Sequence, residues 1–122
     1  MPDRTILIID DDETIAAVVS EGLKKYGFIT KISYNGEDGL NKAKQSVPDA
    51  IILDWMMPGL NGKDVLALLK QNENLKNIPV IMLTAKDEIN HVSEALTLGA
   101  KDYIVKPFDI DNLIMRIKKI LI

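Results

Sequence analysis

Five short apolar runs, TILIID (5–10), FITKIS (28–33), AIILD (50–54), PVIMLT (79–84) and DYIVKP (102–107), recur along the chain with helix-length segments between them. This alternation constrains the fold more than any other feature. Strands separated by helices pair in parallel, and a parallel sheet needs both of its faces covered. Three of the runs are almost unbroken Ile, Leu, Val and Met, the habit of strands buried on both sides. FITKIS alternates apolar and polar residues and reads as an edge strand. The pattern predicts an α/β fold, a doubly wound sandwich of five strand–helix units around an open parallel sheet.

The segments between the runs carry helical signals. Ile15, Val18, Val19 and Leu23 fall at helical spacing, Lys24 and Lys25 occupy the last turn and Gly27 supplies the stop. Leu40 and Ala43 form an i, i+3 pair in a second, Gly-rich helix. A third starts at Asn61-Gly62 and carries Val65, Leu66, Leu68 and Leu69. Ile89, Val92, Ala95 and Leu96 precede a stop at Gly99, and Asp109 caps a last helix with Leu113, Ile114, Ile117, Ile120 and Leu121.

At 122 residues the chain is expected to form one domain, 1–122, able to bury a core without disulfides or a structural metal. The absence of cysteine excludes a disulfide framework and thiolate metal sites and fits a cytoplasmic protein. No apolar run approaches the ~18 residues of a membrane span, and the start MPDRTILIID does not resemble a signal peptide. A net charge of −3 argues against direct grip on a nucleic-acid backbone. The terminal RIKKILI carries no linker or effector domain. A stand-alone domain and one cut from an effector are both open, and the apolar end favours the second.

In a parallel sheet the C-terminal strand ends share one edge, where ligands of such folds bind. Here the first run ends in Asp10, Asp11, Asp12 and Glu13, the third in Asp54, the fourth in Thr84-Ala85 and the fifth in Lys106-Pro107. Two carboxylates ~4 Å apart repel by roughly 4 kcal/mol at an effective dielectric near 20. A hard divalent cation relieves this, and oxygen ligands without His or Cys favour Mg²⁺, Mn²⁺ or Ca²⁺ over zinc. The other groups suit a phosphoryl group. Lys106 can neutralise an oxygen, Thr84 can donate a hydrogen bond, and a carboxylate can attack phosphorus to form an acyl phosphate. Chemistry alone does not choose the nucleophile. Position favours Asp54, at the end of the expected central strand, and leaves the paired acids to the metal. Asp12 and Glu13 read as a helix start, Trp55, Met56 and Met57 as packing, and His91 as surface.

The chain resembles the receiver domain of two-component response regulators over about Thr5 to Leu121. The resemblance rests on LIIDDDE, LDWMMPGLNG, MLTA and GAKDYIVKPF in this order. It implies the flavodoxin-like strand order 2-1-3-4-5. It implies that Asp54 accepts phosphate from a partner sensor histidine kinase or phosphotransfer protein. Asp10, Asp11 and Asp54 would hold Mg²⁺ (Mn²⁺ as a substitute) with the Met56 backbone carbonyl. Lys106 would pair with Asp54 or its phosphate, Thr84 would turn toward the phosphoryl group and Tyr103 inward behind it, with a cis Lys106-Pro107 bond. Met56 and Lys86, where the family can carry water-orienting acids or amides, would tune a slow self-dephosphorylation.

The family's fourth helix, fifth strand and fifth helix form a signalling face, which in the winged-helix class dimerises through charged pairs. Asp102 and Arg116 fit that set, whereas Lys101 and Asn112 depart from it. Three competing functions fare worse. A flavodoxin-like binder needs a phosphate-cradling loop where DDDET would repel one. A phosphohydrolase needs a second acid–base where Trp55-Met56 stands. A pseudo-receiver, a binding module that works without phosphorylation, predicts loss of residues that are intact. The chain is thus expected to be a phosphorylatable switch without a separate turnover substrate.

Overall fold

The computed structural model describes residues 3–85 and 90–121. The elements alternate as β1 (Thr5–Ile9), α1 (Glu13–Lys25), β2 (Ile29–Ser33), α2 (Gly36–Gln45), β3 (Ala50–Asp54), α3 (Gly62–Gln71), β4 (Val80–Ala85), α4 (Val92–Thr97), β5 (Asp102–Lys106) and α5 (Ile110–Ile120). All strand pairings are parallel, in the order β2-β1-β3-β4-β5. β3 is central and wholly buried, and β2, the alternating run, lies at an edge.

Topology decides which helix covers which face. The chain steps outward from β1 to β2, then reverses and steps through β3, β4 and β5. Right-handed crossovers in opposite directions place their helices on opposite faces. One core accordingly joins Ile6, Ile8, Ile52, Ile81, Leu83 and Ile104 to Ala16, Val19 and Leu23 of α1 and Leu113, Ile114 and Ile117 of α5. The other joins Leu7, Ile9, Ile51, Leu53, Val80 and Met82 to residues of α2, α3 and α4, among them Leu40, Val65, Leu69 and Ala95. The reversal separates the loops after β1 and β3 and opens a crevice between their C-terminal ends.

Four helices start at a side-chain cap: Asp12, Asn35, Asn61 and Asp109 each accept a hydrogen bond from a first-turn N–H. Such caps contribute about 0.5–2 kcal/mol each. Helix α4, six residues long, starts at His91 without one. Gly27 and Gly99 adopt φ of 91° and 109° beyond α1 and α4, as their stop positions require. The buried stripes are narrower than the apolar pattern suggests. Val18, Leu68 and Leu96 are exposed, because Ala16, Val19 and Ser20, then Val65, Leu66 and Leu69, and then Ala95 already occupy the inward arc. Ile89 lies outside the described residues. Among the described residues, no helix is long and apolar enough to cross a membrane.

Candidate functional site

Side-chain alternation places the groups at the strand ends. Along β1, Ile6 and Ile8 face α1 and α5, and Asp10 follows in phase just beyond the strand. Along β3, Ile52 precedes Asp54 on the same face, and along β5, Ile104 precedes Lys106. Asp10, Asp54 and Lys106 therefore emerge on one side of the sheet where the burial of apolar residues ends. Lys106 Nζ donates to Asp54 Oδ1 at 3.1 Å and to Asp10 Oδ2 at 3.4 Å. Asp10 is further held by the N–H of Asp12, which donates to its Oδ1 at 2.9 Å, while its own N–H donates to Ser33 O. Asp11 completes the cluster from the solvent side, and an oxygen from each of Asp10, Asp11 and Asp54 lies within 4.8 Å of the others.

The electrostatics of this arrangement are unbalanced. Burial, and next the Asp10 charge, push the Asp54 carboxyl up to about 7, against the opposing pull of Lys106. Burial would lower the Lys106 ammonium, but Asp54 and Asp10 outweigh it and raise its pKa above the ordinary value. Three carboxylates against one ammonium leave an excess of negative charge that a divalent cation matches. The donor set is all oxygen and open on the Asp11 side, which fits Mg²⁺ or Mn²⁺ retaining water ligands.

The backbone around Asp54 is fixed on both sides. The Trp55 N–H donates to Leu83 O at 2.9 Å and Trp55 O accepts from Gly62 N at 3.0 Å. A Cβ at Gly62 would lie 2.3 Å from Asp54 O and 2.7 Å from Trp55 Cα, so only glycine permits this approach of α3 to the end of β3. The sequence marks Gly62 as a helix start and as the last residue of the LDWMMPGLNG motif, but not as this point of close approach. Its position one residue after a capping Asn is the signal that could have suggested more.

Thr84 ends up beside the cluster rather than in it. It is fully buried, and among the described residues its Oγ1 has no hydrogen-bond partner. Register pairs Met82 with Tyr103 and Thr84 with Val105, so Thr84 and Tyr103 share the face opposite Asp54 and Lys106. Tyr103 is half-buried against the core under α2 to α4. Met56 lies on the loop after β3 and is 63% exposed, and its carbonyl as a ligand rests on the resemblance alone. Lys86 lies outside the described residues.

The Lys106-Pro107 bond is cis, as the resemblance implies. Asp12 caps α1 through the N–H groups of Thr14 and Ile15, its expected role. Arg116 pairs with Asp102 within the chain at 2.8 Å and also donates to Tyr103 O. His91, taken from sequence as plain surface, stacks on Trp55 with ring centroids 5.7 Å apart.

Residues 6–118 match the sequence model of the response regulator receiver domain. The chain is 40% identical over 116 residues to the uncharacterized transcriptional regulatory protein YkoG of Bacillus subtilis, covering 95% of the chain and 50% of that protein. It is 38% identical over 121 residues to the phosphate regulon transcriptional regulatory protein PhoB of Pseudomonas aeruginosa, covering 99% and 53%. The chain thus spans about half the length of these curated relatives. The receiver domain of the Francisella response regulator 1452 superposes with a TM-score of 0.89 at 34% identity, over 98% of this chain and 97% of that one. Chemotaxis protein CheY4 of Vibrio cholerae superposes with 0.91 at 28% identity, over 98% and 99%.

Proposed function

We propose that this chain, which belongs to the response regulator receiver domain family, is a switch that takes a phosphoryl group onto Asp54. The observation that carries the reading is one buried carboxylate held by one ammonium, Asp54 to Lys106 at 3.1 Å, beside two further acids at the mouth of the crevice. An Asp54 oxygen attacks phosphorus in line. The P–N bond of a phosphohistidine on a sensor histidine kinase or phosphotransfer protein breaks, and the imidazole nitrogen leaves with the electron pair. Asp10 and Asp11, with Asp54 and the Met56 carbonyl, would hold Mg²⁺ or Mn²⁺, which would neutralise charge on the phosphoryl oxygens. Lys106 moves from the carboxylate to one of those oxygens. It also draws Asp54 toward the anionic form that attack needs, opposing the burial and the Asp10 charge that raise its carboxyl.

The resulting state differs by its acceptors. A phosphoryl group brings three oxygens within reach of a strand end whose buried hydroxyl, Thr84 Oγ1, lacks a partner among the described residues. Thr84 turning to it changes the end of β4 and the packing of Tyr103 behind it, and the output face of α4, β5 and α5 changes with them. Homodimerisation through that face would draw on Asp102 and Arg116, which now satisfy each other. Met56 and Lys86 offer no carboxylate or amide to orient an attacking water, so the phosphorylated form should be long-lived.

Intact mass after incubation with acetyl phosphate and Mg²⁺ tests the reading. One added phosphoryl group, dependent on Mg²⁺ and missing from Asp54→Asn, is expected. No adduct under conditions that label another receiver would leave a phosphorylation-independent binding module.

A further inference from the structure

Helix α4 is the least anchored of the five. It has six residues, too few for independent stability, and buries only Ala95. Its first residue follows His91, which supplies no side-chain cap. Among the described residues, two side-chain contacts outside the core hold it. The exposed His91 ring stacks on Trp55 at 5.7 Å with 24° between planes, and Glu94 pairs with Lys63 of α3 at 3.0 Å. Trp55 is an unusual anchor, because it is the residue next to Asp54. Trp55 is 6% exposed, and its N–H and C=O are tied to Leu83 and Gly62. His91 therefore rests on a residue next to Asp54 whose backbone is tied on both sides.

We propose that the Trp55–His91 stack, supported at its rim by Lys63–Glu94, is a latch that holds α4 in the unphosphorylated arrangement and so sets how readily the chain switches. The inference rests on the phosphorylation reading above. If phosphorylation shifts α4, as that reading has it, His91 moves with the helix, whereas Trp55 is held through both of its backbone groups. The stack is then made in one state and lost in the other, which is the condition for a contact to shift a population. The ion pair is half-exposed on both partners and adds little by itself. The stack carries the effect, and an aromatic pair of this geometry corresponds to about a two- to ten-fold change in an equilibrium.

The test uses the full chain, its His91→Ala and Lys63→Gln variants and the double variant. Beryllofluoride, an acyl-phosphate mimic, is titrated in Mg²⁺ with amide NMR shifts as the readout. Amide hydrogen exchange in α4 is measured separately without the mimic. His91 is exposed and Lys63 half-exposed, so both variants fold. His91→Ala should bind the mimic about two- to ten-fold more tightly and exchange its α4 amides faster when free, with Lys63→Gln moving the same way by less. Faster exchange with unchanged or weaker binding would overturn the latch, because the stack would then hold α4 equally in both states. Unchanged exchange and binding would overturn it by showing that the stack holds nothing. Failure of the unsubstituted chain to bind the mimic would overturn the phosphorylation reading itself, and is distinct from binding that His91→Ala leaves unaltered.

Discussion

Lys106 reaches Asp54 across an intervening strand. Lys106 ends β5 and Asp54 ends β3, with β4 between them, yet Nζ and Oδ1 lie 3.1 Å apart. The same ammonium contacts Asp10, beyond β1, at 3.4 Å. One flexible side chain thereby ties three C-terminal strand ends of the sheet into a single charged cluster. The length of a lysine makes this possible, because neighbouring strands stand ~4.8 Å apart. The consequence is a buried acid pair held by one cation, an arrangement that favours function over stability.

Without divalent cations, Asp54→Asn should stabilise the fold. The Asp54 carboxyl is pushed up to about 7, so between about pH 4 and 7 the folded chain binds more protons than the unfolded one. This group's contribution is therefore fully present at low pH and is lost as pH rises through 7. In chelator at pH 8 the variant should be more stable by on the order of 1–2 kcal/mol, and the gap should shrink toward pH 4. Urea unfolding at the two pH values checks this. Equal stability at pH 8 would count against a crowded acid cluster.

Mg²⁺ should raise the stability of the unsubstituted chain and do so less for Asp11→Asn. A ligand at a hundred times its dissociation constant adds about 2.7 kcal/mol to folding. Asp11 is exposed, so its substitution should leave the metal-free fold intact and remove mainly the response to Mg²⁺. Thermal unfolding across a Mg²⁺ series measures both terms, and an undiminished shift in the variant would remove Asp11 from the ligand set.

Lys106→Met should slow phosphorylation by acetyl phosphate by about 10²–10³-fold, the usual effect of losing one donor aimed at developing charge. The variant also leaves Asp10 and Asp54 without their shared cation, so it should be less stable at pH 8 than at pH 5. Phosphorylation followed by mass against time gives the first quantity, and a rate within a few-fold of the unsubstituted chain would contradict it.

Gly62→Ala should destabilise the chain by about 2–4 kcal/mol, at the upper end of single substitutions. The added Cβ would meet Asp54 O and Trp55 Cα, which are backbone atoms held in the ladder and cannot rotate away. The urea midpoint reports the loss, and a change below 1 kcal/mol would show that the β3–α3 loop can shift.

Thr84→Val separates stability from switching. Its buried hydroxyl has no partner among the described residues, so replacing it with an isosteric methyl should be neutral or stabilising in the free protein. The same change should weaken beryllofluoride binding by about ten- to 150-fold, the effect of losing one hydrogen bond to a charged group. Weakened stability together with unchanged binding would assign Thr84 to packing.

Much of the fold was legible because its signals are local. Unbroken apolar runs at 50–53 and 80–83 mark strands buried on both faces, and Asn61 and Asp109 mark helix starts through their own side-chain oxygens. The candidate acids were legible for the same reason, since a carboxylate that ends an apolar run stands out against its neighbours. What each group touches was not. Tertiary structure alone decided that Lys106 spans β4 to meet Asp54, that Thr84 lies on the opposite face, and that Arg116 pairs with Asp102 inside the chain. It alone set the exposed His91 ring against Trp55. Burial and hydrogen-bond periodicity act over a few residues and are written along the chain. Side-chain contacts between strand ends and helices depend on register, twist and crossover hand, which exist only once the sheet has closed.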